Sequence, residues 1–231
     1  MKKALFPLLA FVSIFASGCF EMSEEYWFNA DGTGKILWEV RIPEELFAMA
    51  ADMDSASSDS DLKEAENELA NDPNVAEVST REFTEAGMRH LQIEILVKDY
   101  LRIPEIYNRI GESSEANQDF GDGFEIIDLG GGRVRFRQGE AEDETAYEPA
   151  DSSDQDESVG EEYGEAMAGV MFAGKYITVT VHAPRIDSSN GEINDEKNMV
   201  IWRIPLVDMM SQSSRGKTLE ADLNCSKSFG D

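Results

Sequence analysis

Three arginines, at positions 133, 135 and 137, alternate with Val134 and Phe136. Alternation places all three guanidinium groups on one face of a strand. Two chemistries suit such a stripe. One is ion pairing with carboxylates across a sheet. The other is capture of a phosphate or carboxylate headgroup through bidentate hydrogen bonds. Other reactive residue types are sparse. His90 and His182 are the only histidines, and both fall on the polar phase of strands, His182 in step with Tyr176, Thr178 and Thr180. That predicts surface histidines and no metal site. Cys225 has no base near it in sequence, and a nucleophile needs one. Gly216-Lys217-Thr218 resembles the close of a phosphate-binding loop, but Ser211 stands where the first glycine belongs. Asn29-Ala30-Asp31-Gly32 has the composition of a calcium loop. Trp27 and Trp38, however, occupy the positions that would need the first Asp and the bidentate Glu. It reads as a hairpin turn. No G-x-S-x-G elbow and no H-E-x-x-H pair occurs. The expectation is a non-enzymatic protein without cofactor or metal.

A second candidate is apolar. The run Ala166-Met167-Ala168-Gly169-Val170-Met171-Phe172-Ala173-Gly174 mixes small residues, which allow close approach, with methionine, which fills irregular space. Core packing is one reading. The other is a lipid-sized apolar cleft lined by Met167, Val170, Met171 and Phe172.

The third candidate is Cys19. Lys2 and Lys3 open the chain, Ala4–Ala16 is apolar, and Ala16-Ser17-Gly18 leads directly into the cysteine. The apolar stretch suits a cleaved secretory leader and falls short of the roughly 20 residues that a membrane helix requires. The small triplet before cysteine is similar to a lipobox, with Ala16 in place of the preferred leucine. It predicts a signal peptide over 1–18 and a lipid anchor of palmitate-type chains on Cys19. Each buried CH₂ of such chains contributes roughly 0.8 kcal/mol, so the membrane is the first expected partner. Phe20, not Asp, follows the cysteine, which by enterobacterial sorting favours the outer membrane, facing the periplasm.

The formal charge of the whole chain is −27, and two units lower once Lys2 and Lys3 leave with the leader. Such a surface repels nucleic acid, whose binding depends on cationic contacts to phosphate. It favours solubility. With Cys19 acylated, Cys225 has no disulfide partner, so the core must hold the fold.

The elements that must position these residues follow a recurring order of two strands and a helix. Alternation predicts Tyr26–Asn29 and Lys35–Ile42 around a Gly-rich turn, and then a helix from Pro43 to Met53 with Glu44 and Glu45 in its first turn. An extra helix over Leu62–Ala70 comes next. Strands Val75–Phe83 and Met88–Lys98 precede a helix at Ile103–Ile110. Strands Phe124–Asp128 and Arg133–Gln138 flank three glycines. A disordered acidic insertion at about 140–160 separates them from a helix at Glu161–Phe172. Residues 140–162 hold eleven Asp or Glu and no Lys or Arg, and such a segment cannot bury enough apolar surface to order itself. Asp54–Asp61, alternating Ser and Asp, reads as another loop. Strands Tyr176–Ala183 and Met199–Ile204 follow, then a short helix from Pro205 and a closing strand at Thr218–Leu223. Arg-Ile-Pro occurs at Arg41, Arg102 and Arg203, each time where proline suits a helix start. Residues 19–231 therefore read as a single α+β domain: antiparallel sheets of repeated β-β-α units with helices packed on one face.

Phe172, Gly174, Ile177, Val179, Val181 and Pro184, then Asn190-Gly191, then Asn198, Val200, Trp202 and Leu206 resemble the C-terminal half of the LppM-type domain of bacterial lipoproteins. The Asn29–Gly34 hairpin soon after the cysteine is similar too. The resemblance spans about a third of residues 19–231 and rests on turns and core positions. It implies an α+β fold and a cavity for a lipid or glycolipid, and it brings no catalytic residues. This chain departs from the pattern by its acidic insertion and by lacking a C-terminal membrane helix. The function expected is that of a membrane-anchored cell-envelope lipoprotein, a binding module for a lipid or other apolar ligand. The alternative is an assembly lipoprotein that docks an envelope protein.

Overall fold

The structure, a computed structural model, describes residues 21–45, 47–48, 66–67, 69–113, 124–139, 174–207 and 218–226. Eleven strands dominate these residues. The hairpins expected from alternation all form. β1 (Glu21–Phe28) pairs with β2 (Gly34–Pro43) around a turn closed by Asn29 N donating to Thr33 O at 3.0 Å. Asp31 Oδ1 accepts from Thr33 N at 3.0 Å and from Thr33 Oγ1 at 2.7 Å, which fixes the turn internally. β3 (Val75–Glu85) pairs with β4 (Met88–Val97), and β5 (Glu125–Gly130) with β6 (Arg133–Gln138). Between β5 and β6, Gly131 and Gly132 have φ of 67° and 76°. Two consecutive positive φ values define a tight hairpin turn that glycine adopts without strain. β7 (Tyr176–His182) pairs with β10 (Met199–Pro205). The loop between them carries two further short strands, β8 (Arg185–Ser189) and β9 (Glu192–Ile193). β11 (Leu219–Asn224) is the expected closing strand.

The assembly of these hairpins overturns the expected β-β-α architecture. The described residues are mostly β, in two sheets, and among them helices do not cover one face of repeated units. The large sheet has the order β3-β4-β2-β1-β7-β10-β9 and the small one β5-β6-β11-β8. The first and fourth hairpins fuse because β1 runs parallel to β7, Tyr26 opposite Val181 and Glu24 opposite Val179. The third hairpin leaves that sheet and joins β11 and β8. Two of the three Arg-Ile-Pro sites do not begin a helix on their proline: Pro43 ends β2 opposite Met88, and Pro205 ends β10 opposite Tyr176. A proline at the last position of a strand breaks no interior ladder bond. Helical turns at Glu44–Glu45, Phe47–Ala48, 66–67, 69–70 and Leu206–Val207 border residues outside the description. The expected helix at Glu161–Phe172 and both acidic loops also lie outside the described residues.

The longest α-helix among the described residues is α1 (Ile103–Ser113). Asp99 caps the 3-10 turn Tyr100–Arg102 that leads into it, accepting from Leu101 N at 3.0 Å. Ile103, Ile106 and Tyr107 turn one side of α1 into the core.

The core lies between the sheets. Phe136 of β6 packs on Tyr26 and Phe28 of β1, ring centroids 5.6 and 6.4 Å away, and on Trp202 of β10 at 5.7 Å. Tyr26, Phe28, Phe136, Ile36, Ile95 and Leu223 are fully buried. Each such side chain contributes roughly 1.5–3 kcal/mol on leaving water, so sheet-on-sheet packing takes the place that helix-on-sheet packing was expected to fill.

Candidate functional site

Arg133, Arg135 and Arg137 stand on the outward face of β6, as alternation predicts. The neighbouring β11 sets carboxylates against them, with Asp222 opposite Arg135 and Glu220 opposite Arg137. Arg135 donates to Asp222 through Nε at 2.8 Å and Nη2 at 3.2 Å, a two-pronged pair. Arg137 Nη2 donates to Glu220 at 3.3 Å, and Arg133 Nε is 3.7 Å from Asp187. Hydrogen bonds from Arg135 hold the Asp222 carboxyl below the usual carboxylate range. The stripe is a neutralised ion ladder, and its guanidiniums already have carboxylate partners. Cys19 and the residues of the expected apolar cleft, Met167, Val170, Met171 and Phe172, lie outside the described residues.

Both histidines lie on the outer face of the large sheet, but neither is a plain surface side chain. His90 is 9 % exposed. Its ring stacks on Phe83 at 4.5 Å, and its Nδ1 meets Glu39 Oε1 at 2.7 Å. Burial pushes the Glu39 carboxyl up, yet hydrogen bonds from Arg41, His90 and Gln92 outweigh it and hold the group below its ordinary range. His182 stacks on Trp27 at 4.6 Å, nearly coplanar at 4°, while its Nε2 lies 3.2 Å from Glu25.

Trp27 organises this end of the sheet. Its register partners are Lys35 on β2 and His182 on β7, so the indole stands between two nitrogen bases. Lys35 Nζ sits 3.6 Å over the ring, a cation–π contact. An open cleft of about 500 Å³ lies beside it, walled by Trp27, Ala76, Leu96 and Val97, with Lys35 and Lys98 among its residues. That size falls within the roughly 300–1,000 Å³ of small-molecule sites. Ala76 is the extra residue where the register of β3 slips on β4. A bulge bends an edge strand and re-aims its neighbours, and here it opens the edge beside Leu96. Sequence reading missed the cleft. Lys35, Trp27 and Leu96 come from three strands whose order no local pattern reveals.

A third feature lies inside. Glu24 is 6 % exposed between the sheets. Its Oε2 accepts from Tyr26 Oη at 2.9 Å and from Gln138 Nε2 at 3.2 Å, and Gln138 Nε2 also stands 3.5 Å from Tyr107 Oη. Burial raises the Glu24 carboxyl above its usual range, against the opposing effect of these hydrogen bonds. Burial also drives the Tyr26 and Tyr107 hydroxyls up, so both stay protonated donors. Gln138 Oε1 is buried without a hydrogen-bond partner among the described residues. A signal for this cluster did exist in the sequence. Glu24 shares the strand phase of Tyr26 and Phe28, which puts one carboxylate on an apolar face.

No family model and no curated protein matches the sequence. A solved structure does: the NMR structure of the folded domain of the LppM protein of Mycobacterium tuberculosis. The match covers 91 % of this chain and 93 % of that one at 11 % identity, with a TM-score of 0.48. The chain is similar to an LppM-type folded domain.

Proposed function

We propose that this chain is a lipid-anchored lipoprotein of the cell envelope, tethered through Cys19, whose β-rich body is a non-enzymatic binding module for a lipid or other apolar ligand. The leader ending in Ala16-Ser17-Gly18-Cys19 supports the anchor, and Phe20 supports an outer-membrane address facing the periplasm. The observation that carries the binding reading is the cleft beside Trp27, whose apolar walls and lysine ammoniums suit a molecule with a tail and a polar head. Native mass spectrometry of the mature chain carrying Cys19→Ser, expressed in bacteria, tests it. Co-purified lipid released by denaturation is the expected result, and a clean ligand-free mass after exposure to envelope lipid extract contradicts it.

A second reading, docking of an envelope protein, draws on β5. This strand ends the small sheet, paired among the described residues with β6 alone, and it exposes Ile127 and Leu129 at 38 % and 41 %. Edge strands of this kind template pairing with another chain. A ligand-free mass together with a stoichiometric envelope protein retained by the same sample would favour it.

A further inference from the structure

We propose that the Trp27 cleft takes a single-chain amphiphile with an anionic head, a fatty carboxylate or an alkyl phosphate. The inference rests on the binding-module reading and names the ligand class for that site. Three observations point the same way. The walls, Trp27, Ala76, Leu96 and Val97, are apolar, and an alkyl chain laid on them leaves water. Among the described residues, the charged side chains that line the cleft are Lys35 and Lys98, both cationic, in a chain whose net charge is −27. A surface with that balance repels anions nearly everywhere, so two ammoniums at one apolar cleft select for an anionic head there.

The state of those ammoniums supports the same conclusion. Lys35 Nζ rests on the Trp27 ring at 3.6 Å, and its carboxylate contact is the long one to Glu94, 3.5 Å. Lys98 Nζ donates to the neutral carbonyl of Pro73 at 2.9 Å. Lys35 thus has one ion pair, longer than the 2.8 Å at which Asp222 holds Arg135, and no ion pair to Lys98 occurs among the described residues. An ammonium has three donors, so each lysine keeps protons for a ligand oxygen. Asn29 and Thr33, from the adjoining turn, add polar groups at the rim.

The experiment titrates the mature Cys19→Ser chain with monomeric dodecanoate and, separately, with dodecanol, following heat and tryptophan fluorescence. Dodecanoate is expected to bind saturably at one site and dodecanol more weakly. Lys35→Met and Lys98→Met should each weaken dodecanoate about tenfold or more, the loss of one charge-assisted hydrogen bond. Neither variant should move dodecanol, and Lys35→Arg should restore most of the affinity. Thermal melts establish that each variant is folded. Equal binding of the two alkyl compounds, or dodecanoate affinity unmoved by both Met variants, overturns the anionic-head assignment while the apolar-ligand reading survives. Binding of neither compound, with no lipid co-purified, removes both. Vesicles separate the two sources of this chemistry. Attachment to phosphatidylglycerol vesicles over phosphatidylcholine that saturating dodecanoate does not displace would place recognition at a bilayer surface and contradict a single-chain ligand.

Discussion

Trp202 Nε1 donates to Asn190 Oδ1 across 2.8 Å, and the same oxygen accepts from Glu220 N at 3.0 Å. One side-chain amide therefore joins β10 of the large sheet to β11 of the small one. Asn190 Nδ2 adds a bond to Thr218 O at 2.7 Å. Next to it, Gly191 lies so close under the indole that a Cβ there would stand 2.6 Å from Trp202 Nε1 and 2.8 Å from Val200 Cγ2.

Gly191→Ala must therefore displace either the indole or β10. Overpacking of this kind costs about 1–3 kcal/mol, and each kcal/mol lowers the melting temperature of a domain this size by roughly 2–4 °C. Asn190→Ala leaves Trp202 Nε1 and Glu220 N without their acceptor, at about 1–3 kcal/mol. Thermal denaturation of both variants checks this. A melting temperature unchanged in either would mean that the join between the sheets contributes nothing to stability.

Glu24 makes stability depend on pH in a particular direction. Burial raises its folded-state value above that of the unfolded chain, so the folded protein holds this proton more tightly. The contribution is fully present below the ordinary carboxylate range and is lost as pH rises through the folded value. Glu24→Gln keeps the shape and an acceptor for Tyr26 while removing the ionisable group. The variant is expected to melt higher than the parent at pH 8 and to converge with it near pH 4. A variant less stable than the parent at pH 8 would mean that the ionised carboxylate is favoured inside.

Cys225 should be inert in the folded chain. It is 3 % exposed, and burial pushes its thiol up to about 11, against the lowering effect of Tyr100. The thiolate is the reactive form. An aromatic disulfide reagent at pH 7.5 is expected to modify it only after denaturation. Stoichiometric labelling of the native protein within minutes would contradict the packing around β11.

The strands were legible for a simple reason. Ile36, Trp38, Val40 and Ile42, or Leu91, Ile93, Ile95 and Val97, alternate with polar residues, and Gly-rich turns separate the runs. The carboxylate partners of the arginine stripe were legible in principle, because Glu220 and Asp222 alternate with Ala221 and Leu223 in the closing strand. The order of strands was not. The parallel pairing of Tyr26 with Val181 links segments far apart in the chain, and nothing local to either marks it. The helix starts expected at Pro43 and Pro205 fall one residue later, at Glu44 and Leu206, because each proline also closes a strand. His90 was assigned to the surface by its phase. That phase does face outward, but Phe83 on the neighbouring strand lies over the ring and removes it from water.

The reading of this chain as a membrane-tethered binding module depends first on the lipid at position 19. Intact-mass spectrometry of the protein recovered from membranes of a bacterium expressing the full sequence tests that claim most directly. The expected mass is that of residues 19–231 plus a diacylglyceryl group, with or without a further amide-linked acyl chain. A mass that begins at Met1, or one that begins near position 19 without any acyl group, would contradict it.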